Sequence, residues 1–140
     1  MPIQPAGASG TQGTVELFPD YLEGLKDLEG FSYIILLYHF HRSKGFDLQV
    51  VPFLDRKSRG LFATRAPRRP NPIGFSVVKL LDIRDDTLHI ENIDVVDGTP
   101  LLDIKPYVPE FDGPSAAHRG WYEETIKTVS QTKSDKRFIS

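Results

Sequence analysis

The chain has 140 residues, 39% hydrophobic and 26% charged, a balance that suits one globular domain with its own core. It contains no cysteine, which excludes disulfides, thiolate metal sites and a cysteine nucleophile. A net charge of −2 argues against a general polyanion binder. No apolar run is long enough to cross a bilayer and nothing at the start reads as a signal peptide, so a cytoplasmic location is expected.

Strand signals dominate in chain order. "GTVELF" (13–18) alternates, and "DYLEGLKDLEG" (20–30) then carries Leu22, Leu25 and Leu28 at helical spacing, with Asp20 as the expected N-cap and Gly30 as the stop. "FSYIILLYHFH" (31–41) is a long run rich in aromatic and β-branched residues, followed by "DLQVVPF" (47–53) and "RGLFAT" (59–64). "GFSVVKLLDI" (74–83) and "TLHIENIDVV" (87–96) flank Asp85 and Asp86 and read as a hairpin. So many strands in so short a chain predict a mainly all-β fold, an antiparallel β-barrel with one or two short helices, since closure removes exposed edges. After Pro114 the chain turns polar, and "SAAHRGWYEETIKTVSQTK" predicts a short helix docked by Trp121 before a frayed end.

Charge is segregated along the chain. Arg56, Lys57, Arg59, Arg65, Arg68 and Arg69 fall in one segment without an acidic residue, whereas Asp82 to Asp112 holds nine acidic residues and two basic ones. Two solvated faces would explain any single charge. The segregation predicts two different ligands, phosphates on the basic side and a cation or ribose hydroxyls on the acidic side.

Two loops carry chemistry. In "ATRAPRRPNPIGFS" (63–76) proline restricts its own φ and its predecessor, so Asn71, between Pro70 and Pro72, is held extended. Such a loop is ordered before its ligand arrives, which lowers the entropy cost of binding. In "DVVDGTPLLDIKPYVP" (94–109) strict alternation puts Asp103, Lys105 and Tyr107 on one strand face, a carboxylate, an amine and a phenol able to position and deprotonate a polar substrate. Asp97-Gly98 alone reads as a simple turn. His39 and His41 lie two apart, but no third ligand follows at a recognisable spacing, so no metal is expected. His41, with Arg42 beside it, reads instead as a strand-end histidine that hydrogen-bonds a ligand.

"LEGFSYIILLYHFHR", "FATRAPRRPNPIGFSVV" and "DVVDGTPLLDIKPYVP", in that order, closely resemble the TsaA-like family, also called the TrmO family, over Pro2 to Asp112. The resemblance implies a β-barrel methyltransferase that uses S-adenosylmethionine, acts as a homodimer with cofactor near the subunit interface, and methylates N6 of threonylcarbamoyladenosine next to the anticodon of tRNA. It implies a barrel domain over 1–113 and an extension over 114–140. It places cofactor at Pro2, Ile3, Gln4, His41, Arg42, Arg65, Phe75, Asp94, Val95, Val96 and Asp97. Asn71, Asp103, Lys105 and Tyr107 fall at positions implied to serve substrate or catalysis, and Arg68 and Arg69 would meet tRNA. No membrane partner is implied. Family members begin with a further strand before the segment matching Pro2 to Pro5, so an open barrel edge is expected here. The alternatives are a non-catalytic module sensing S-adenosylmethionine or an adenosine ligand, and a plain RNA-binding barrel. The latter lacks an RNP-like aromatic pattern.

Overall fold

The computed structural model describes residues 2–5, 12–52 and 55–123. Among these residues eight strands form, all paired antiparallel: β1 (Pro2–Pro5), β2 (Gln12–Glu16), β3 (Tyr33–His39), β4 (Gln49–Val50), β5 (Arg59–Gly60), β6 (Ile73–Arg84), β7 (Thr87–Glu91) and β8 (Thr99–Pro106). The chain is thus mainly β with a few short helical turns, as its sequence predicts.

Six strands close in the order β1-β2-β7-β6-β3-β8, while β4 and β5 make a separate two-stranded sheet. The seam is short: β8 returns to β1 through Pro2↔Pro100 and Ile3↔Thr99. Because β1 pairs with β2 on its other side, the expected open edge at the N-terminal strand is absent. The long strand β3 pairs with β6 over seven residues and with β8 over five.

Alternation builds the core. Ile34, Leu36 and Tyr38 of β3 point inward to meet Ile3, Val15, Val78, Leu88, Ile90 and Leu101. Two leucine doublets mark where the pattern slips. A register shift between Leu80 and Asp82 sends Leu80 inward and leaves Leu81 exposed; another opposite Leu37 and Tyr38 buries Leu101 and leaves Leu102 exposed. The Asp85-Asp86 hairpin forms as expected, with Asp85 at φ 56°.

Three local expectations are corrected. The segment 20–30 forms two 3₁₀ helices, Pro19–Leu25 and Leu28–Gly30, instead of one α-helix. Leu22, Leu25 and Leu28 recur every three residues, which aligns them on one side of a three-residue turn and turns them onto the core. Phe18, not Asp20, holds the N-cap position; Pro19 follows it at the first turn, and left-handed Asp27 (φ 70°) separates the two helices. "DLQVVPF" yields only the two residues of β4, Phe53 lying outside the described residues. "RGLFAT" turns after β5 into a 3₁₀ helix, Leu61–Ala63, that buries Leu61. Trp121 docks as expected, its indole N–H donating to the Ala63 carbonyl at 2.8 Å; the rest of the expected tail helix, 124–133, lies outside the described residues.

No helix among the described residues is long and apolar enough to cross a membrane. Leu36 is fully buried, so Leu36→Ala should lower unfolding free energy by about 2–5 kcal/mol. Phe111 is 81% exposed, and Phe111→Ala should change it by no more than about 0.5 kcal/mol, both read by urea denaturation.

Candidate functional site

One end of the ring opens into a cleft of about 1090 Å³. Four separated segments wall it: the β3 exit at Tyr38–Ser43, the proline-rich loop at Thr64–Arg69, the start of β6 at Ile73–Val77, and the β7–β8 connection from Asn92 to Thr99. His41, Arg42, Arg65, Phe75, Asp94, Val95 and Val96 all line it. Residues far apart in sequence therefore converge on one cleft.

Local chemistry fixes each wall. Gly74 is the second residue of β6, where an added Cβ would stand 2.5 Å from Cε2 of Tyr38 and 2.6 Å from Cζ of Phe40. The missing side chain lets these two rings pack edge to face, centroids 5.6 Å apart. The Tyr38 hydroxyl then meets Ser76 Oγ at 2.8 Å. Arg65 places its guanidinium carbon 4.8 Å over the Phe75 ring. Arg69 donates through Nη1 to the carbonyls of Thr64 (2.8 Å) and Ala66 (3.0 Å), so it staples the loop from within. Arg68 stays exposed and donates to the Lys44 carbonyl at 3.1 Å. The acidic wall is tied to β1: the Gly98 N–H donates to the Ile3 carbonyl at 3.0 Å, and the buried Thr99 hydroxyl donates to the Val96 carbonyl.

The remaining expected site residues sit elsewhere. Ile3 is fully buried in the core, so only its backbone approaches the acidic loop. Side chains of Pro2 and Gln4 lie outside the described residues. Asp97 is exposed on the turn, off the cleft wall. Asn71 is exposed before the cleft, its carbonyl accepting the Ile73 N–H at 2.7 Å, and it does not line the wall. Asp103 and Lys105 do share a face and pair at 2.8 Å, but that face is the outside of β8. Tyr107 lies beyond the strand, its ring edge-on to Tyr33 at 6.5 Å.

Sequence reasoning missed Tyr38, Thr64, Gly74, Ser76, Asn92 and Thr99 as wall residues. Positive φ at Asn92 (72°) was the one detectable kind of signal, an asparagine tolerating a left-handed turn. The two charged segments meet in part. Arg65 and Arg69 share one cleft with Asp94, beside the aromatic rings of Phe40 and Phe75. Such a wall fits a single ligand with a flat ring system, hydroxyls and charges of both signs, which describes S-adenosylmethionine. Among the described residues no group of three His, Cys, Asp or Glu side chains could hold a metal ion.

Residues 1–113 match the family model described as the tRNA-methyltransferase O N-terminal domain. The chain belongs to the tRNA-methyltransferase O family. That is a family of S-adenosylmethionine-dependent methyltransferases, as the motifs imply. The chain is 52% identical over 140 residues, all of its length and 76% of the relative's, to a probable S-adenosyl-L-methionine-binding protein of Pyrococcus abyssi. It is 34% identical over 120 residues to the human tRNA (adenine(37)-N6)-methyltransferase, covering 81% of this chain and 27% of that one. The crystal structure of TrmO from Pseudomonas aeruginosa superposes with a TM-score of 0.67 at 42% identity, covering 86% of this chain and 53% of that one. The chain thus spans about half of that structure and about a quarter of the human enzyme.

Two measurements probe this geometry. Gly74→Ala should displace Tyr38 and Phe40 and abolish ligand binding in the cleft, while Arg69→Ala should lower the melting temperature by releasing the loop; calorimetry of binding and of unfolding separates the two effects. For pH, the hydrogen bond from Lys105, with that of the Ile104 N–H, holds Asp103 below its ordinary 3.8; Arg59 foremost does the same for Asp55. Each folded carboxyl binds protons less readily than its unfolded counterpart. The pairs' contribution is therefore full above the ordinary value and is lost as pH falls through the lowered one. Asp55→Asn with Asp103→Asn should flatten the acid limb of stability against pH.

Proposed function

We propose that this chain is a tRNA methyltransferase that holds S-adenosylmethionine in the cleft and methylates N6 of threonylcarbamoyladenosine beside the anticodon. The observation that carries this reading is the meeting of His41, Arg42, Arg65, Phe75 and Asp94–Val96 in one cleft of a chain from this family. The human relative's name, which specifies adenine 37 of tRNA, supports the acceptor. Residues 1–113 are the catalytic unit on this reading, and 114–140 an extension of it.

S-adenosylmethionine supplies an electrophilic methyl group when bound. The protein's contribution is orientation and charge. Asp94 is suited to accept hydrogen bonds from hydroxyls, and Arg65, fixed over Phe75, to pair with a carboxylate. The acceptor is a urea-like nitrogen whose lone pair is delocalised, and it must shed a proton. Asp103 is a weak base for that task, because Lys105 stabilises its charged form. Its pair with Lys105 serves better to position the acceptor electrostatically, together with Tyr107 and Asn71.

The outer sheet face supports a homodimer. Ile73, Phe75, Val77 and Tyr33 are all at least 38% exposed there, and the first three also edge the cleft. Across the strands Phe75 pairs with Leu37 and Leu37 with Asp103, so about 10 Å of sheet separates the carboxylate from the cleft wall. A second copy packed on this face would bury the apolar strip and complete the cleft with its own Asp103 and Lys105. A tRNA substrate, on this reading, places the enzyme in the cytoplasm.

The test is incubation of the full chain with labelled cofactor and total tRNA, followed by nucleoside analysis. Label in an N6-methylated adenosine derivative is expected, and Arg65→Ala should weaken cofactor binding about tenfold or more. Light scattering should give twice the chain mass. Cofactor binding without any transfer would establish the second reading, a sensor module, which the name of the Pyrococcus abyssi relative also suits.

A further inference from the structure

Beyond the cleft, the fold assembles an aromatic surface that the linear sequence does not display. Trp121 reaches across 58 residues to the Ala63 carbonyl, which fixes its ring beside the 3₁₀ helix Leu61–Ala63. Tyr122 stacks on that indole, centroids 4.0 Å apart and planes 22° off parallel. The Arg59 guanidinium carbon stands 5.3 Å over the same ring. Trp121 and Tyr122 thus form a two-ring pile, with Arg59 against the indole and the tyrosine 37% exposed. One residue from Ala63, Phe62 projects at 76% exposure, with the Arg69 guanidinium 5.9 Å from its ring.

The charge around these rings selects a partner. Arg56 and Lys57 are exposed on the segment leading into Arg59, and Asp55, which precedes them in the chain, is engaged by Arg59 at 2.7 Å. Rings open to solvent and backed by guanidinium groups, in a segment rich in exposed cations, match the chemistry of unpaired nucleic-acid bases on a phosphate backbone. Lysine is depleted at protein–protein interfaces, and Lys57 stands exposed in this segment.

We infer that Phe62 and Tyr122 form a stacking platform for unpaired bases of the RNA substrate, with Arg56 and Lys57 meeting its phosphates. The inference rests on the tRNA methyltransferase reading and gives that enzyme an RNA-docking surface separate from the cofactor cleft. A base laid on Tyr122 extends the pile by one ring, and Phe62 offers a second. Such stacking discriminates single-stranded loops from duplex, because paired bases present no free face.

The chain's single tryptophan is Trp121, so its fluorescence reports on this surface directly. The full-length protein is titrated with total tRNA, with a single-stranded RNA oligonucleotide and with a blunt RNA duplex of equal length. The first two should quench the emission. Phe62→Ala with Tyr122→Ala should weaken binding of both by about tenfold or more. Duplex affinity, cofactor affinity and melting temperature should hold, and the salt slope should be unchanged because no phosphate contact is lost. Tyr122→Trp alone should bind like the parent, which separates stacking from a merely structural role. Parent-like tRNA affinity in the double variant would overturn the inference and leave the face to another partner. An equal loss on duplex, or a Tyr122→Trp variant as weak as Tyr122→Ala, would overturn it too. A parent chain that binds cofactor but no tRNA would remove the methyltransferase reading itself, and the platform with it.

Discussion

Strand β3 has a partner along both edges, β6 on one side and β8 on the other, and only every second side chain can then point inward. Ile34 and Leu36 spend those positions on the core. Tyr38, the third, falls where β8 slips register, and there the core ends. Its ring is buried, but its hydroxyl reaches Ser76 at the cleft wall. The same residue thus closes the apolar interior and opens the polar site. Gly74 is the condition for this arrangement, since any side chain there would occupy the space of the Tyr38 and Phe40 rings.

The proline-rich loop shows how rigidity is divided between local and tertiary causes. Prolines at 67, 70 and 72 narrow the backbone's options, which the sequence declares openly. They do not say which arginine is free. Arg69 turns inward to carbonyls of its own loop, Arg65 lies over Phe75, and Arg68 remains outside. Identical side chains four or fewer residues apart thereby acquire a structural, a site-lining and a solvent-facing position. A guanidinium satisfies several acceptors at once, so its role follows the nearest unpaired carbonyls and rings rather than its place in the chain.

Two features place the cleft in relation to the exterior of the ring. Its edge includes outward-facing residues of β6, so the described residues leave the site open toward the outer face of the sheet. The Asp103–Lys105 pair occupies the same outer surface two strands away. On the other side, the segment after Pro114 folds back through Trp121 onto the loop that carries Thr64 and Arg65. The extension therefore bears on a cleft wall even though its sequence is polar and carries no motif.

By itself the sequence determined the mainly β class, the hairpin at Asp85-Asp86, the strand face shared by Asp103 and Lys105, and most of the cleft: His41, Arg42, Arg65, Phe75 and Asp94–Val96. Alternation, turn chemistry and long proline-rich motifs are local signals, and local signals survive in one dimension. It misjudged the segment after Phe18, because leucines three apart serve a 3₁₀ turn as well as an α-helix. It left open where the Asp103–Lys105 pair faces, because alternation says which residues share a face but not whether that face is inside or outside, and closure of the ring put it outside. The tertiary structure alone decided that opposite charges meet in one cleft, that Gly74 must lack a side chain, and that Trp121 lies against Ala63. Those contacts join residues tens of positions apart, and only chain closure and packing bring them within reach.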